Sequence, residues 1–304
     1  KARTISLIFF FCPLVIVISS VWGMLDSIPA ALTLLSILLI YFDKIYLSAI
    51  SVGLGIYFKV IPIIYLPIQF IFINKNKGIR EAFTHSLISC IVPFILTLAP
   101  LHYFKWKASE TVMTVLSQTQ KPGDVLTYWN ISVLLNHLFP NIFSREILNS
   151  TFSFPPIRYL WILGLMISYF LCIQEQSKEG DTPRSMFAIL KWSSITTMAF
   201  LLTRTFIPEQ FVIYLLSTTV ILTIDASIRR DYKYSWALAL AFLFVNTYPF
   251  AFAYLLNPNI WFSFNYLGST APYVTIRYFI RSLLAVTFDL SILHQSIKMV
   301  KKQW

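Results

Sequence analysis

Apolar residues fill this chain in long continuous blocks, separated by short polar clusters. Continuous blocks predict helices in lipid, because a membrane β-barrel would instead show alternating segments of about ten residues. The blocks place candidate spans at about 5–20, 28–42, 45–58, 60–73, 84–100, 160–174, 186–203, 211–224, 235–255 and 274–293. One stretch, Trp22 to Pro62, organises the rest. It opens on a polar patch from Gly23 to Ser27, carries two apolar segments joined by Asp43-Lys44, and closes on Lys59 within an apolar run. Both segments are short: 15 and 14 residues reach only about 21–23 Å, against a hydrocarbon core of about 30 Å. Such elements borrow a flanking turn or stop part-way beside a cavity. Ala49 with Gly53, and Ser51 with Gly55, repeat small residues at spacing four, a pattern that lets another helix approach closely. Pro62 would distort a helix continuing through Lys59.

Composition sharpens this to a class. Of 304 residues 57% are hydrophobic and only 12% charged, where water-soluble domains carry about 25% charged residues. The expectation is an all-α, polytopic transmembrane helical bundle of about ten segments, forming a single transmembrane domain over 1–304. The net charge of +11 does not imply nucleic acid, because basic residues in membrane proteins sort by topology. With the start placed inside, the inner connections hold Lys1, Arg3, Lys44, Lys75, Lys77, Arg80, Lys178, Arg184, Arg229, Arg230, Lys233, Lys298, Lys301 and Lys302, which is 14 of the 24 basic residues. The outer face then receives Gly23–Ser27, Lys59, the long connection 101–159, Arg204–Gln210 and Asn257–Tyr273. Two sequons, at Asn130 and Asn149, fall in 101–159, as do apolar segments long enough for short helices at Ser109–Gln118 and Leu126–Leu138. Cys12, Cys90 and Cys172 sit in apolar runs without a CxxC motif and read as small hydrophobes.

Nucleotide-binding glycine loops, HExxH and Asp-x-Asp are all absent from the sequence. His85, His102, His137 and His294 are dispersed, so neither a metal site nor a cofactor is expected. What remains is a set of charges sharing the outer face. Asp26 reads either as a helix N-cap or as an acid able to orient or deprotonate a hydroxyl. Lys59 is either a snorkelling interface residue or a point charge for a phosphate. An ammonium inside an apolar run needs an interface, a wet cavity or an anion. Arg204 is an interface anchor or a second phosphate cation. Glu209, after Pro208, suits a helix N-terminus.

With those residues in view, WGMLDSIPAALTLLSILLIYFDKIYLSAISVGLGIYFKVIPIIYLP resembles membrane glycosyltransferases of the C-type fold (GT-C). It is nearest to the branch that uses polyprenyl-phosphate sugars, which includes the catalytic subunit adding the first mannose to GPI anchors and its prokaryotic relatives. The shared pattern is Gly-x-x-Asp-Ser from Gly23 to Ser27, two short helices, then Gly53, Lys59 and Pro62. RTFIPEQFVIY, from Arg204 to Tyr214, resembles a later family segment in which Gln210 and Phe211 open a helix. The resemblance implies transfer of a hexose, mannose foremost, from a polyprenyl- or dolichyl-phosphate donor to a lipid-linked or protein acceptor. It implies an extracytoplasmic site with no metal, in the endoplasmic reticulum or a prokaryotic plasma membrane, and a small membrane partner subunit. By carry-over, Lys59 holds the donor phosphate with Arg204 beside it, Asp26 is a candidate catalytic acid, and Ser27, Glu209 and Gln210 are candidate substrate contacts. The family's main acid follows its first helix. Nothing before Trp22 offers such a loop, so that acid and the N-terminal helices are expected upstream of Lys1. The competing reading is a transporter or flippase of a lipid-linked saccharide, which would place ionisable residues deep in the spans and show repeat symmetry.

The charge asymmetry makes a direct prediction. In a cysteine-free background, a cysteine at position 120 should react with an impermeant maleimide added from outside, and one at position 77 should not. The reverse labelling overturns the topology.

Overall fold

The computed structural model describes residues 25–105, 159–178, 186–204, 212–222, 233–241 and 273–301, with positions 16, 107, 139, 141 and 142. These residues form helices joined by short turns, with no strand among them. The helices are α1 (Ser27–Tyr41), α2 (Ile45–Phe58), α3 (Leu66–Lys77), α4 (Ile79–Tyr103), α5 (Leu160–Lys178), α6 (Met186–Thr203), α7 (Val212–Leu222) and α8 (Tyr273–Lys301). A five-residue 3-10 turn, Ile61–Tyr65, precedes α3, and 233–241 is also helical. The spans read from the sequence at 45–58 and 186–203 coincide with α2 and α6. The block at 60–73 is split into the 3-10 turn and α3. Most of 101–159, most of the start of the chain and all of 242–272 lie outside the described residues.

The boundaries follow from local chemistry. α1 ends where Asp43 takes a left-handed φ of 62°, a conformation that Asp tolerates better than most residues. The Lys44 and Asp43 amides then donate to the Leu39 and Ile40 carbonyls at 2.8 and 3.1 Å, closing the helix in a Schellman motif. α2 stops at Phe58, four residues before Pro62. A proline ring there would collide with the Phe58 carbonyl if the helix continued. Lys59 instead adopts an extended conformation, φ −159° and ψ 135°, so the chain changes direction at the one charged residue of this segment.

Among the described residues, three helices are long and apolar enough to cross a membrane: Ile79–Tyr103, Met186–Thr203 and Leu283–Lys301. They sit differently in the bundle. α6 is buried on nearly every side, from Ala188 to Leu201, and packs against α5, α7 and α8. α4 turns Phe83, Leu87, Ile91, Phe94, Ile95 and Leu98 outward, as a lipid-facing helix would. Its inward stripe is Ala82, His85 and Ser89.

The small residues of α2 set its distance from α4. A Cβ built on Gly53 would lie 2.9 Å from the Val92 Cβ and 3.0 Å from the Ser89 carbonyl oxygen. A Cβ on Gly55 would meet the Pro29 carbonyl and the Pro62 ring at 3.4 Å. Gly53 therefore holds α2 against α4, and Gly55 lies where α1, α2 and the 3-10 turn meet. Gly53→Ala should lower stability by about 1–3 kcal/mol, the usual range for overpacking. It should read as a fall of several degrees in Tm in detergent, partly recovered by adding Val92→Ala. An unchanged Tm for Gly53→Ala would show that the helices do not approach this closely.

Candidate functional site

Two of the residues expected to share one face, Asp26 and Lys59, are brought together. The Lys59 ammonium donates to an Asp26 carboxylate oxygen in a salt bridge. Asp26 comes from the residue just before α1, and Lys59 from the residue just after α2. The two short antiparallel helices thus end side by side. Asp26 occupies the N-cap position of α1, but its side chain makes no capping bond there. The Ala30 amide donates to the Asp26 backbone carbonyl at 3.2 Å. The N-cap alternative thus accounts for the position of Asp26 in the chain, while the carboxylate is committed to Lys59. Exposure is unequal: 3% of the Asp26 side chain is exposed, against 28% for Lys59. The acid is sealed in, and the lysine side chain keeps part of its surface exposed.

Tyrosines lie around and beneath this pair. Tyr214 of α7, itself buried, is within electrostatic range of both the Asp26 carboxylate and Tyr65. Tyr65 and the Thr197 hydroxyl are 2.7 Å apart, and the Tyr169 hydroxyl donates to the Ile64 carbonyl at 2.7 Å. The tyrosine bonds tie the 3-10 turn to α5 and α6, so the turn that aims Lys59 is fixed from both sides. Tyr65, Tyr169 and Thr197 carry no charge and follow no motif, which is why the sequence did not single them out.

Arg204 lies at the same end of the bundle. It follows the last residue of α6, and its guanidinium stacks over Phe200 with the charge centre 5.1 Å from the ring centroid. Burial pushes the guanidinium down to about 10, which still leaves it cationic at neutral pH. Ser27 opens α1 beside Asp26 and is part-buried. Glu209 and Gln210 lie outside the described residues.

The opposite end of the bundle is basic. Lys191 of α6, fully buried, donates to both oxygens of Glu175 at 2.7 Å. Lys75 donates to the Gln176 carbonyl at 2.8 Å, and Lys77 pairs with Asp43 at 3.3 Å. Between the two ends lies a polar layer. Gln69 donates to Ser36, the Ser36 and Ser48 hydroxyls are 2.8 Å apart, and Ser48 lies 3.1 Å from His85 Nε2. His85 thus serves a hydrogen-bond chain joining α1 to α4. Among the described residues no cluster of three His, Cys, Asp or Glu side chains could hold a metal ion.

The same stretch of chain matches a known family model. Residues 18–121 match the family model described as Mannosyltransferase (PIG-M). The match covers about a third of the chain and contains the whole first motif, from Gly23 through Lys59 to Pro62. It supports the resemblance to GPI mannosyltransferase-like glycosyltransferases and, with it, a mannosyltransferase enzyme. The later run from Arg204 to Tyr214 lies beyond the matched residues. No curated protein and no solved structure matches the chain.

The Asp26 carboxylate is an anion of the kind that an ammonium in an apolar run needs. Removing the ammonium leaves a buried carboxylate alone, the situation that costs about 3–5 kcal/mol in fully buried pairs and less where one partner keeps some water. Lys59→Met should therefore destabilise by about 1–3 kcal/mol. Asp26→Asn in the same chain should restore most of the loss. A double-mutant cycle read by thermal unfolding checks this: additive losses would mean that the pair is not coupled.

Proposed function

We propose that the Asp26–Lys59 end of the bundle binds the phosphate of a polyprenyl-phosphate mannose donor, and that the enzyme transfers the sugar to a lipid-linked or protein acceptor at the extracytoplasmic face. The observation that carries this reading is the unequal burial of the pair, within the stretch that matches the mannosyltransferase family. Asp26 positions the ammonium and Lys59 presents it. A partly exposed lysine, at the end of helices too short to fill the bilayer, suits an anion arriving from the membrane interface.

The chemistry follows from charge. When the glycosidic bond to the donor breaks, negative charge collects on the departing phosphate. Cations already fixed in place stabilise that charge without reorganising. Lys59 supplies the first such charge and Arg204, at the same end, the second. An acid must also take the proton of the acceptor hydroxyl. Asp26, buried and held by Lys59, is poorly placed to do so, which leaves that role to a residue outside the described region. A donor phosphate would share Lys59 with Asp26, or draw it away.

Activity separates this role from a purely structural one. Asp26→Asn with Lys59→Met should restore stability but not transfer, which should stay about 10²-fold or more below wild type, the scale of losing about 2.7 kcal/mol of charge stabilisation. Lys59→Arg should keep part of the activity, since the charge survives and its geometry changes. Transfer of labelled mannose from dolichyl-phosphate mannose by full-length protein is the measurement. Wild-type transfer by the stable double variant would make the pair a structural clamp only.

A further inference from the structure

A groove of about 390 Å³ lies between α3, α4 and α5, lined by Leu66, Pro67, Phe70, Ile71, Ser86, Tyr169 and Ile173. Its two polar side chains are already satisfied: Ser86 donates to the Ala82 carbonyl at 3.1 Å and Tyr169 to the Ile64 carbonyl. The groove therefore offers an occupant hydrocarbon contact alone.

Its depth can be read from the helices. Ile71 lies six residues before the end of α3, Ile173 five before the end of α5, and Ser86 seven after the start of α4. At 1.5 Å per residue these are about 7–11 Å from the helix ends. That is within the basic-side half of a hydrocarbon core about 30 Å thick. One turn beyond Ile71 stands Lys75. Its ammonium bridges to the Gln176 carbonyl of α5, so a positive charge spans the two walls at the end of the groove. Lys77 and Arg80 are exposed beside it. Of the acids at this end, Asp43 pairs with Lys77 and Glu175 with Lys191, and Glu81 follows Arg80 in the first turn of α4.

We propose that this groove is a binding site for an anionic glycerophospholipid of the basic-side leaflet, with an acyl chain along Phe70, Ile71 and Ile173 and the headgroup phosphate among Lys75, Lys77 and Arg80. Charge complementarity selects the headgroup, since basic pockets between membrane helices favour anionic lipids. The lining selects the chain. The site lies at the opposite end of the bundle from the Asp26–Lys59 pair and does not depend on what that pair does.

The test uses the full chain extracted from membranes of mixed phosphatidylglycerol and phosphatidylcholine, with retained lipids counted by native mass spectrometry. Phosphatidylglycerol should be retained in preference. Arg80→Ala, at an exposed position, should lower its retention about fivefold, the worth of one basic residue near a charged surface, and leave phosphatidylcholine unchanged. Ile173→Trp, at a position 48% exposed and so tolerant of a larger ring, should reduce retention of both while Tm stays within a degree or two of wild type. Equal retention of the two lipids by wild type overturns the proposal. So does unchanged retention in Ile173→Trp. Competitive displacement of phosphatidylglycerol by dolichyl phosphate would overturn it too, assigning the groove to a donor's tail.

Discussion

A charge taken into an apolar interior must be met by its opposite, and the Asp26–Lys59 pair is where this chain meets that requirement. The pair sits where α1 begins and α2 ends, and Pro62 prevents α2 from running past that point. The 3-10 turn that follows is held by Tyr65 on Thr197 and by Tyr169 on Ile64. The position of one ammonium thus depends on contacts with two helices more than ninety residues downstream. In an apolar environment those hydroxyl bonds have no water to replace them, so they fix the turn more firmly than the same bonds would on a wet surface.

The rest of the bundle obeys the same constraint with neutral groups. Ser36, Ser48, Gln69 and His85 form a connected layer among α1, α2, α3 and α4. Lys191 is buried, yet both oxygens of Glu175 meet it. The result is polarity at both ends: a partly exposed lysine at one, and a basic rim at the other. Asp26, Lys59, Asp43, Lys75 and Lys77 thus lie at or beside helix ends, while Asp289 lies within α8 and His85 within α4.

Much of this was legible in the sequence because apolar continuity and charge are strong signals. The bounds of α2 and α6 were read directly from uninterrupted hydrophobic blocks, and Lys59 stood out because an ammonium is costly in such surroundings. Gly53 and Gly55 announced a close approach, although only the fold shows that Val92, Ser89, Pro29 and Pro62 are what approach. The partner of Lys59 was not legible. Asp26 precedes a helix in a sequence context that favours a cap, and only the length match of α1 and α2 brings it 33 positions forward to the lysine. The tyrosine contacts were invisible for a related reason. A tyrosine in an apolar block looks like any aromatic residue until its hydroxyl finds a particular partner. Lys191 and Glu175 sit in adjacent blocks 16 positions apart, and nothing in either block names the other.

The central claim is that Lys59 is held by Asp26 so that it can meet a phosphate. A structure of the full-length protein with a polyprenyl-phosphate sugar bound tests this most directly. A phosphate oxygen about 2.7–2.9 Å from the Lys59 ammonium, the range of a charge-assisted hydrogen bond, is the predicted result. A donor phosphate bound elsewhere, with Lys59 still paired to Asp26 alone, would contradict the account.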